Sequence, residues 1–163
     1  MEIERKWLVK DWPRGLESVR TLKMRQGYIA LRPTVRIREE ADEAGVEYIL
    51  CFKGKAGPGG LSRTEIETPV ERGLFLQLEE LIGKPLIHKE QRRYPLADGL
   101  TLEVNRVDAG SPGEFFYAEV EFATEEAARA WKRGVLREYL EHEVTGEKGQ
   151  SMADYWARTR GAE

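Results

Sequence analysis

Charged and apolar residues alternate at every second position in several short segments of this sequence. The alternation is clearest in EIERKWLV at 2–9, VRIRE at 35–39 and YAEVEF at 117–122. Because successive side chains of a β-strand point to opposite faces, each segment predicts a strand with one charged face. These faces carry sets of like charge: Glu2 and Glu4, Arg36 and Arg38, Glu65 and Glu67, Lys89 and Arg93, and Glu119 and Glu121. Like charges on one strand face repel each other, so these faces need partners of opposite charge.

The rest of the chain predicts more strands and a few helices. We count about eight strands by their alternation. Helical spacing of apolar residues predicts helices over 71–83, 124–143 and 151–159. The glycine-rich stretch 54–60 predicts a hairpin loop. Strands that follow one another in runs favour an α+β fold with a large antiparallel sheet, open or closed.

The overall composition excludes several classes of protein. The 163 residues fit a single domain spanning 1–163, which is long enough to bury a core. With 26 basic and 29 acidic residues, the net charge of −3 argues against a general nucleic-acid-binding protein. No apolar run approaches the length of a membrane span, so no membrane partner is expected. The single cysteine, Cys51, fits a reducing compartment, and we therefore expect a cytoplasmic protein.

The charged strand faces have two interpretations. An antiparallel sheet often has one face in solvent, and any single pair of like charges is most simply explained in that way. The whole set favours a closed sheet whose charged faces converge on one lumen. Clustered carboxylates suit hard cations such as Mg²⁺ or Mn²⁺, and clustered Arg and Lys suit phosphate oxygens. A lumen with both groups would bind a polyphosphate together with its metal.

The first predicted strand contains the short motif E-x-E-x-K, formed by Glu2, Glu4 and Lys6. This motif resembles the signature of the CYTH superfamily, the triphosphate tunnel metalloenzymes. Further matching segments follow in order along nearly the whole chain: QGY at 26–28, VRIR at 35–38, FKG at 52–54, RTEIE at 63–67, AEVEF at 118–122 and EVTGE at 143–147. The resemblance implies an α+β fold built on a closed eight-stranded antiparallel β-barrel, with helices packed outside. It also implies that the segment 151–156 covers one end of the tunnel.

The resemblance further implies roles for the charged residues. A divalent metal, Mg²⁺ or Mn²⁺, would be held by Glu2, Glu4 and Glu121, with Glu119 reaching that metal through water or binding a second one. The triphosphate would be bound by Lys6, Arg36, Arg38, Lys53, Lys89 and Arg93. The catalytic set would comprise Lys6 together with Glu119, Glu65 and Glu67, which would activate water or tune the neighbouring bases.

Two positions depart from the family pattern. The family usually has an aspartate, often assigned to a second metal, where this chain has Asn105. An amide oxygen can bind a metal without adding charge, and Glu103 on the same face could compensate, so sites with one and with two metals both stay open. The segment KEQRRYPL at 89–96 leaves open whether Arg92 or Arg93 faces the lumen.

Hydrolysis of inorganic triphosphate to pyrophosphate and phosphate is the leading function that the resemblance implies, as in bacterial inorganic triphosphatases. A class IV adenylate cyclase or a thiamine triphosphatase on the same fold is the alternative, because the sequence does not reveal an organic substituent. A non-catalytic protein that binds polyphosphate or nucleotide is an alternative of another class, although an anion site gains nothing from so many glutamates. The expected partner is a small-molecule triphosphate, and a homodimer stays open because related proteins often pair.

Overall fold

The computed structural model describes residues 1 to 161, and these form strands and helices in a simple order. The elements are β1 (Glu2–Val9), β2 (Arg20–Leu31), β3 (Thr34–Asp42), β4 (Gly45–Ala56), β5 (Ser62–Pro69), α1 (Arg72–Ile82), β6 (Ile87–Pro95), β7 (Thr101–Val107), β8 (Phe115–Glu121), α2 (Glu125–Ala130), β9 (His142–Glu143) and α3 (Met152–Arg160). Residues 162 and 163 of the predicted domain 1–163 lie outside this description. Within residues 1 to 161, no helix has both the length and the apolar character needed to cross a membrane.

Strands β1 to β8 form a closed antiparallel barrel. Their order is β5, β4, β3, β2, β6, β7, β8, β1, and β1 closes the barrel by pairing back with β5. The closing contact is short and involves Glu2 and Ile3, whereas the pairing of β1 with β8 runs from Glu4 to Val9. The short strand β9 pairs with β1 farther along, at Trp7. For the part of the chain described, the predicted α+β fold with a closed eight-stranded barrel is confirmed.

The outer face of the barrel carries one apolar core. Trp7, Leu102, Val104, Ala118 and Val120 are fully buried there, under the segment that follows β8. Leu136 and Leu140 of this segment belong to the same cluster. The alternation of the strands therefore sends apolar side chains outward, under the covering segment, and charged side chains inward.

One end of the barrel is filled by apolar side chains. The inward-facing rows of β1, β6, β7 and β8 continue with Leu8, Ile87, Val107 and Phe115. These residues pack in one cluster with Met152, Tyr155 and Trp156 of α3. A capping box between Ser151 and Asp154 starts α3 at this place. Helix α3 thus covers one end of the barrel, as the resemblance implied.

The helix predicted over 124–143 is wrong beyond Ala130, whereas α1 and α3 agree with their predictions to within one residue at each end. Helix α2 begins as expected, because the Thr124 hydroxyl accepts a hydrogen bond from the Ala127 amide at 3.0 Å. Trp131 then leaves the helical conformation (φ −65°, ψ 130°). Its ring packs edge-on against Trp7, with centroids 5.8 Å apart. Burial of this large ring outweighs the modest helix propensity of the following residues.

The hairpin loop predicted over 54–60 is shorter in the structure. Strand β4 extends to Ala56, and Pro58–Gly60 forms a single 3₁₀ turn before β5. Lys53 pairs with Glu65 in the ladder, and the next pair is Ala56 with Arg63. This change of register is a bulge, which lets β4 continue through residues that the composition suggested as loop.

Candidate active site

The barrel encloses a cavity of about 350 Å³ that is lined mostly by charged side chains. The lining includes the following residues predicted from the sequence: Glu2, Glu4, Lys6, Arg36, Arg38, Lys53, Glu65, Glu67, Lys89, Arg93, Glu119 and Glu121. They come from strands that are far apart in the sequence. Closure of the sheet brings them together, because inward-facing rows of all strands meet inside a barrel of this size.

Three carboxylates at the start of β1 and the end of β8 form a cluster. Glu4 pairs with Glu121 across the two strands, and Glu2 lies two residues from Glu4 on the same strand face. One carboxylate oxygen of each lies within 4.8 Å of the others. A set of carboxylate oxygens at this spacing is the donor set that Mg²⁺ or Mn²⁺ prefers, so the residues present fit the divalent metal that the resemblance implies.

Burial makes this carboxylate cluster unfavourable without a cation. It raises the pKa of Glu2 to about 7, helped by a hydrogen bond with Glu65. Burial and the neighbouring Glu119 hold the pKa of Glu4 well above its usual range. Burial would also raise the pKa of Glu119, but the hydrogen bond with Glu4 and the ammonium of Lys6 lower it. A bound dication would favour the charged forms of Glu2 and Glu4.

Arg36 and Lys89 are the most deeply buried basic residues of the cavity, and each is 7% exposed. The Lys89 ammonium donates a hydrogen bond to the Tyr117 hydroxyl at 2.8 Å. Burial and the nearby Arg36 guanidinium lower the pKa of Lys89 to about 7. Among the described residues, Nε of Arg36 has no hydrogen-bond partner. An anion between Arg36 and Lys89 would accept a hydrogen bond from Nε of Arg36, and its negative charge would favour the charged form of Lys89.

Other bases on the cavity wall are paired with carboxylates. Nζ of Lys53 lies 3.2 Å from Oε1 of Glu2 and 3.4 Å from Oε2 of Glu65. Arg38 lies 3.7 Å from Glu67, and its Nε lies 2.7 Å from Oε1 of Glu40. These ion pairs hold Lys53 beside Glu65 and Arg38 beside Glu67, and the roles of the two glutamates in catalysis stay predictions.

Comparisons with known proteins give matches among solved structures. A scan against protein-family models and a search of curated proteins each found no match. The inorganic triphosphatase NE1496 has a similar structure, with a TM-score of 0.62, 27% sequence identity, and 95% of this chain and 93% of that chain covered. This similarity and the closed eight-stranded barrel are consistent with the CYTH superfamily, which the sequence resembles.

Two structures with lower sequence identity share the same fold. The PH1819 protein from Pyrococcus horikoshii OT3 matches with a TM-score of 0.73 and 19% identity over 98% of this chain and 100% of that one. HpAC1 from Hippeastrum, described as an adenylyl cyclase with a dominant triphosphatase activity, matches with a TM-score of 0.62 and 16% identity, covering 92% of this chain and 93% of that one. At these identities the likeness concerns the fold alone.

Asn105, on the inward-facing row of β7, does not reach the barrel cavity. It is fully buried, and it is absent from the lining among the described residues. Its Oδ1 accepts a hydrogen bond from Nε2 of Gln91 at 3.0 Å. This contact occupies the oxygen that the predicted metal role requires, so we do not place Asn105 among the ligands. Glu103, two residues earlier, does line the cavity, and burial raises its pKa to about 7.

The structure also separates Arg93 from Arg92. Arg93 lines the cavity, where its Nε donates to Oε1 of Gln91 at 2.9 Å. Arg92 points to the other face of the strand, and its guanidinium lies 3.9 Å from the ring centroid of Trp12. The structure thus places Arg93, and not Arg92, on the side of β6 that faces the cavity.

Sequence reasoning missed several residues of the lining. Tyr117 and Gln91 share strand faces with Glu119 and Lys89, so the same alternation could have identified them. The segment 144–154 also lines the cavity. The irregular backbone of 144–150 carries no periodic signal, whereas residues 151–154, at the start of α3, lie in the segment that the resemblance placed at one end of the tunnel.

Proposed function

We propose that this CYTH protein hydrolyses inorganic triphosphate to pyrophosphate and phosphate, with Mg²⁺ or Mn²⁺ held by Glu2, Glu4 and Glu121. The observation that carries the proposal is the presence of this carboxylate cluster and of Arg36 and Lys89 in one cavity. The similarity to the inorganic triphosphatase NE1496, at 27% identity, supports the same reaction. Positioning and charge neutralisation are what phosphoryl transfer mainly requires from a protein.

The balance of charge favours a metal-dependent reaction over simple anion binding. Acidic side chains outnumber basic ones among the described residues of the lining, so a bare triphosphate would be repelled. A bound dication would neutralise the phosphate oxygens and polarise the transferred phosphoryl group. Arg36 and Lys89 hold the anion at the deep end, and Glu119, Glu65 or Glu67 accepts the proton of the attacking water.

The lining favours an inorganic substrate. Among the described residues, its aromatic side chains are those of Tyr28 and Tyr117, which are only 6% and 2% exposed. Neither offers an open ring face on which a nucleobase or a thiamine ring would stack. A charged lining without such a face favours phosphate groups over an aromatic ring system.

Phosphate release tests the proposal directly. Tripolyphosphate, ATP and thiamine triphosphate are each incubated with the protein and Mg²⁺ or Mn²⁺, with and without a chelator. We expect phosphate and pyrophosphate in equal amounts from tripolyphosphate, and no release once the metal is chelated. Preferred turnover of ATP or thiamine triphosphate would support the alternative enzymes. Binding of tripolyphosphate without release would support the non-catalytic protein.

Location and assembly are proposed from the cysteine and from the family resemblance. Cys51 is a free, buried cysteine, which suits a reducing compartment, and we propose a cytoplasmic protein. Pairing into a homodimer is proposed from the family resemblance. Light scattering on the purified protein measures its mass and tests this point.

A further inference from the structure

Lys6 is held in place by the segment 144–150, which follows β9. Its amide donates a hydrogen bond to Oγ1 of Thr145 at 3.0 Å, and its carbonyl accepts one from the amide of Val144 at 2.8 Å. Its ammonium donates to the main-chain carbonyl of Gln150 at 2.5 Å. Both the backbone and the charged end of this lysine are therefore fixed by the same segment.

These contacts orient a side chain that is normally mobile. The Lys6 ammonium also lies 4.4 Å from the ring centroid of Tyr117, which adds a cation–π interaction. An ammonium has three N–H donors, so the bond to Gln150 leaves others for a phosphate. Because the lysine is already ordered, binding a phosphate loses less side-chain entropy than it would with a free lysine.

The segment 144–150 is itself held by a contact between two glycine backbones. A Cβ atom built on Gly60, in the turn between β4 and β5, would overlap the Cα of Gly146. A Cβ atom built on Gly146 would likewise overlap the carbonyl of Gly59. Gly60 and Gly146 both have positive φ, at 72° and 70°. The approach is therefore too close for any side chain at either position.

We propose that the contact between Gly60 and Gly146 positions Lys6 for phosphate binding, by holding the segment 144–150 against the turn between β4 and β5. Gly60 and Gly146 are positioning residues, since they act through the segment that holds Lys6. This inference rests on the proposed function, because it takes the bound anion to be a triphosphate.

The chain offers closely matched controls for the two glycines. Gly99 and Gly110 also have positive φ, at 80° and 81°, but a Cβ atom on either meets nothing within 4 Å. They lie in the connections from β6 to β7 and from β7 to β8, outside both the segment 144–150 and the turn between β4 and β5. Gly99→Ala and Gly110→Ala therefore impose the same kind of backbone strain as Gly60→Ala and Gly146→Ala without separating the two loops. We expect G60A and G146A to raise the KM for tripolyphosphate about tenfold, which corresponds to the loss of one charged hydrogen bond, with kcat little changed. G99A and G110A should keep the wild-type KM.

Combining G60A or G146A with Lys6→Ala distinguishes a positioning role of the glycines from a general loss of structure. In the K6A background, G60A and G146A should raise the KM no further, because the group they position is gone. An equal rise with and without Lys6 would overturn the proposal, as would wild-type KM values in G60A and G146A. If both alanine variants fail to fold, Thr145→Val tests the same link. It should raise the KM while Thr145→Ser restores it, and a T145V enzyme with unchanged KM would overturn the proposal.

Calorimetry of tripolyphosphate binding distinguishes this inference from the proposed function. If the wild type binds tripolyphosphate but does not hydrolyse it, the proposed function fails. The double-mutant cycle of the glycine variants with K6A, measured as Kd instead of KM, still tests the role of the glycines. If the wild type hydrolyses tripolyphosphate and the cycle shows no coupling to Lys6, the inference alone fails. A wild type that neither binds nor hydrolyses the anion overturns both.

Discussion

At the scale of single residues, the cavity holds charges that do little for the stability of the fold. Burial raises the pKa of Glu2 to about 7 and lowers that of Lys89 to about 7. Both shifts mean that the folded chain disfavours the charged forms. Buried charges of this kind are retained where a ligand supplies the missing partner. The carboxylate cluster and the deep bases are therefore best explained by what they bind.

The replacement Glu4→Gln should lower kcat/KM for tripolyphosphate about 100-fold, since it removes one negative charge from the carboxylate cluster. The fold should be retained, because an amide resembles the protonated acid that burial already favours at this position. Phosphate release measures the loss. The control is Glu17→Gln, at an exposed position outside the barrel strands. Equal activity of the two variants would contradict the role of Glu4.

Arg93→Ala should raise the KM about tenfold, because the guanidinium that faces the cavity is lost. Its neighbour supplies the control, since Arg92 lies against Trp12 on the other face of β6. Arg92→Ala should leave the KM unchanged. Steady-state kinetics with tripolyphosphate measures both. A larger effect from R92A than from R93A would refute the inward placement of Arg93.

At the scale of elements, α3 is attached to the barrel through Asp108. Oδ2 of Asp108 accepts hydrogen bonds from the Tyr155 hydroxyl at 2.5 Å and from Nη1 of Arg160 at 2.9 Å. Its Oδ1 accepts one from the amide of His88 at 3.0 Å. Burial would raise the pKa of Asp108, but the hydrogen bonds from Arg160 and Tyr155 lower it. This one carboxylate therefore joins the covering helix to β6 and β7.

Asp108→Asn should reduce the free energy of unfolding by about 2 kcal/mol at pH 7, because an amide accepts a weaker hydrogen bond and the ion pair with Arg160 is lost. A lowered folded-state pKa stabilises the protein above the ordinary Asp value of 3.8 and loses that effect as the pH falls below it. The difference between wild type and D108N should thus be constant near neutral pH and shrink toward about pH 3. Urea unfolding of wild type and D108N at pH 7 and at about pH 3 measures this difference. A difference that grows on acidification would contradict the assignment.

At the scale of the whole molecule, the barrel is closed by a short contact and filled by residues from all its strands. The pairing of β1 with β5 involves Glu2 and Ile3, extended by the hydrogen bond from the Glu4 amide to the Leu61 carbonyl at 3.1 Å. A ligand in the cavity would bridge strands on both sides of this contact. Binding to the folded chain alone must then stabilise the barrel as a unit.

Tripolyphosphate with Mg²⁺ should raise the thermal midpoint of unfolding. At a ligand concentration about 100 times Kd, the gain is about 2.7 kcal/mol, or roughly 5–10 °C for a chain of this length. Calorimetric or fluorescence melts measure the shift. Sulfate at matched ionic strength serves as the control and should give a smaller shift, as should the E4Q variant with tripolyphosphate. An unchanged midpoint at saturating tripolyphosphate would contradict binding in the cavity.

The sequence by itself determined the inward and outward faces of the strands, because alternation is a property of neighbouring residues. The row of Glu119 and Glu121 and the row of Arg36 and Arg38 could both be predicted in this way. The helix predicted over 124–143 failed because its end was decided by the packing of Trp131, and such packing has no local signal.

The tertiary structure alone decided which of these rows meet, and at what depth. Asn105 lies on an inward-facing row, yet Gln91 occupies its amide oxygen, and no pattern within β7 could reveal that contact. The bond from Lys6 to Gln150 and the contact of Gly60 with Gly146 join residues far apart in the chain. Their proximity depends on the register at which the barrel closes, and that register is set by pairing and packing across the whole sheet.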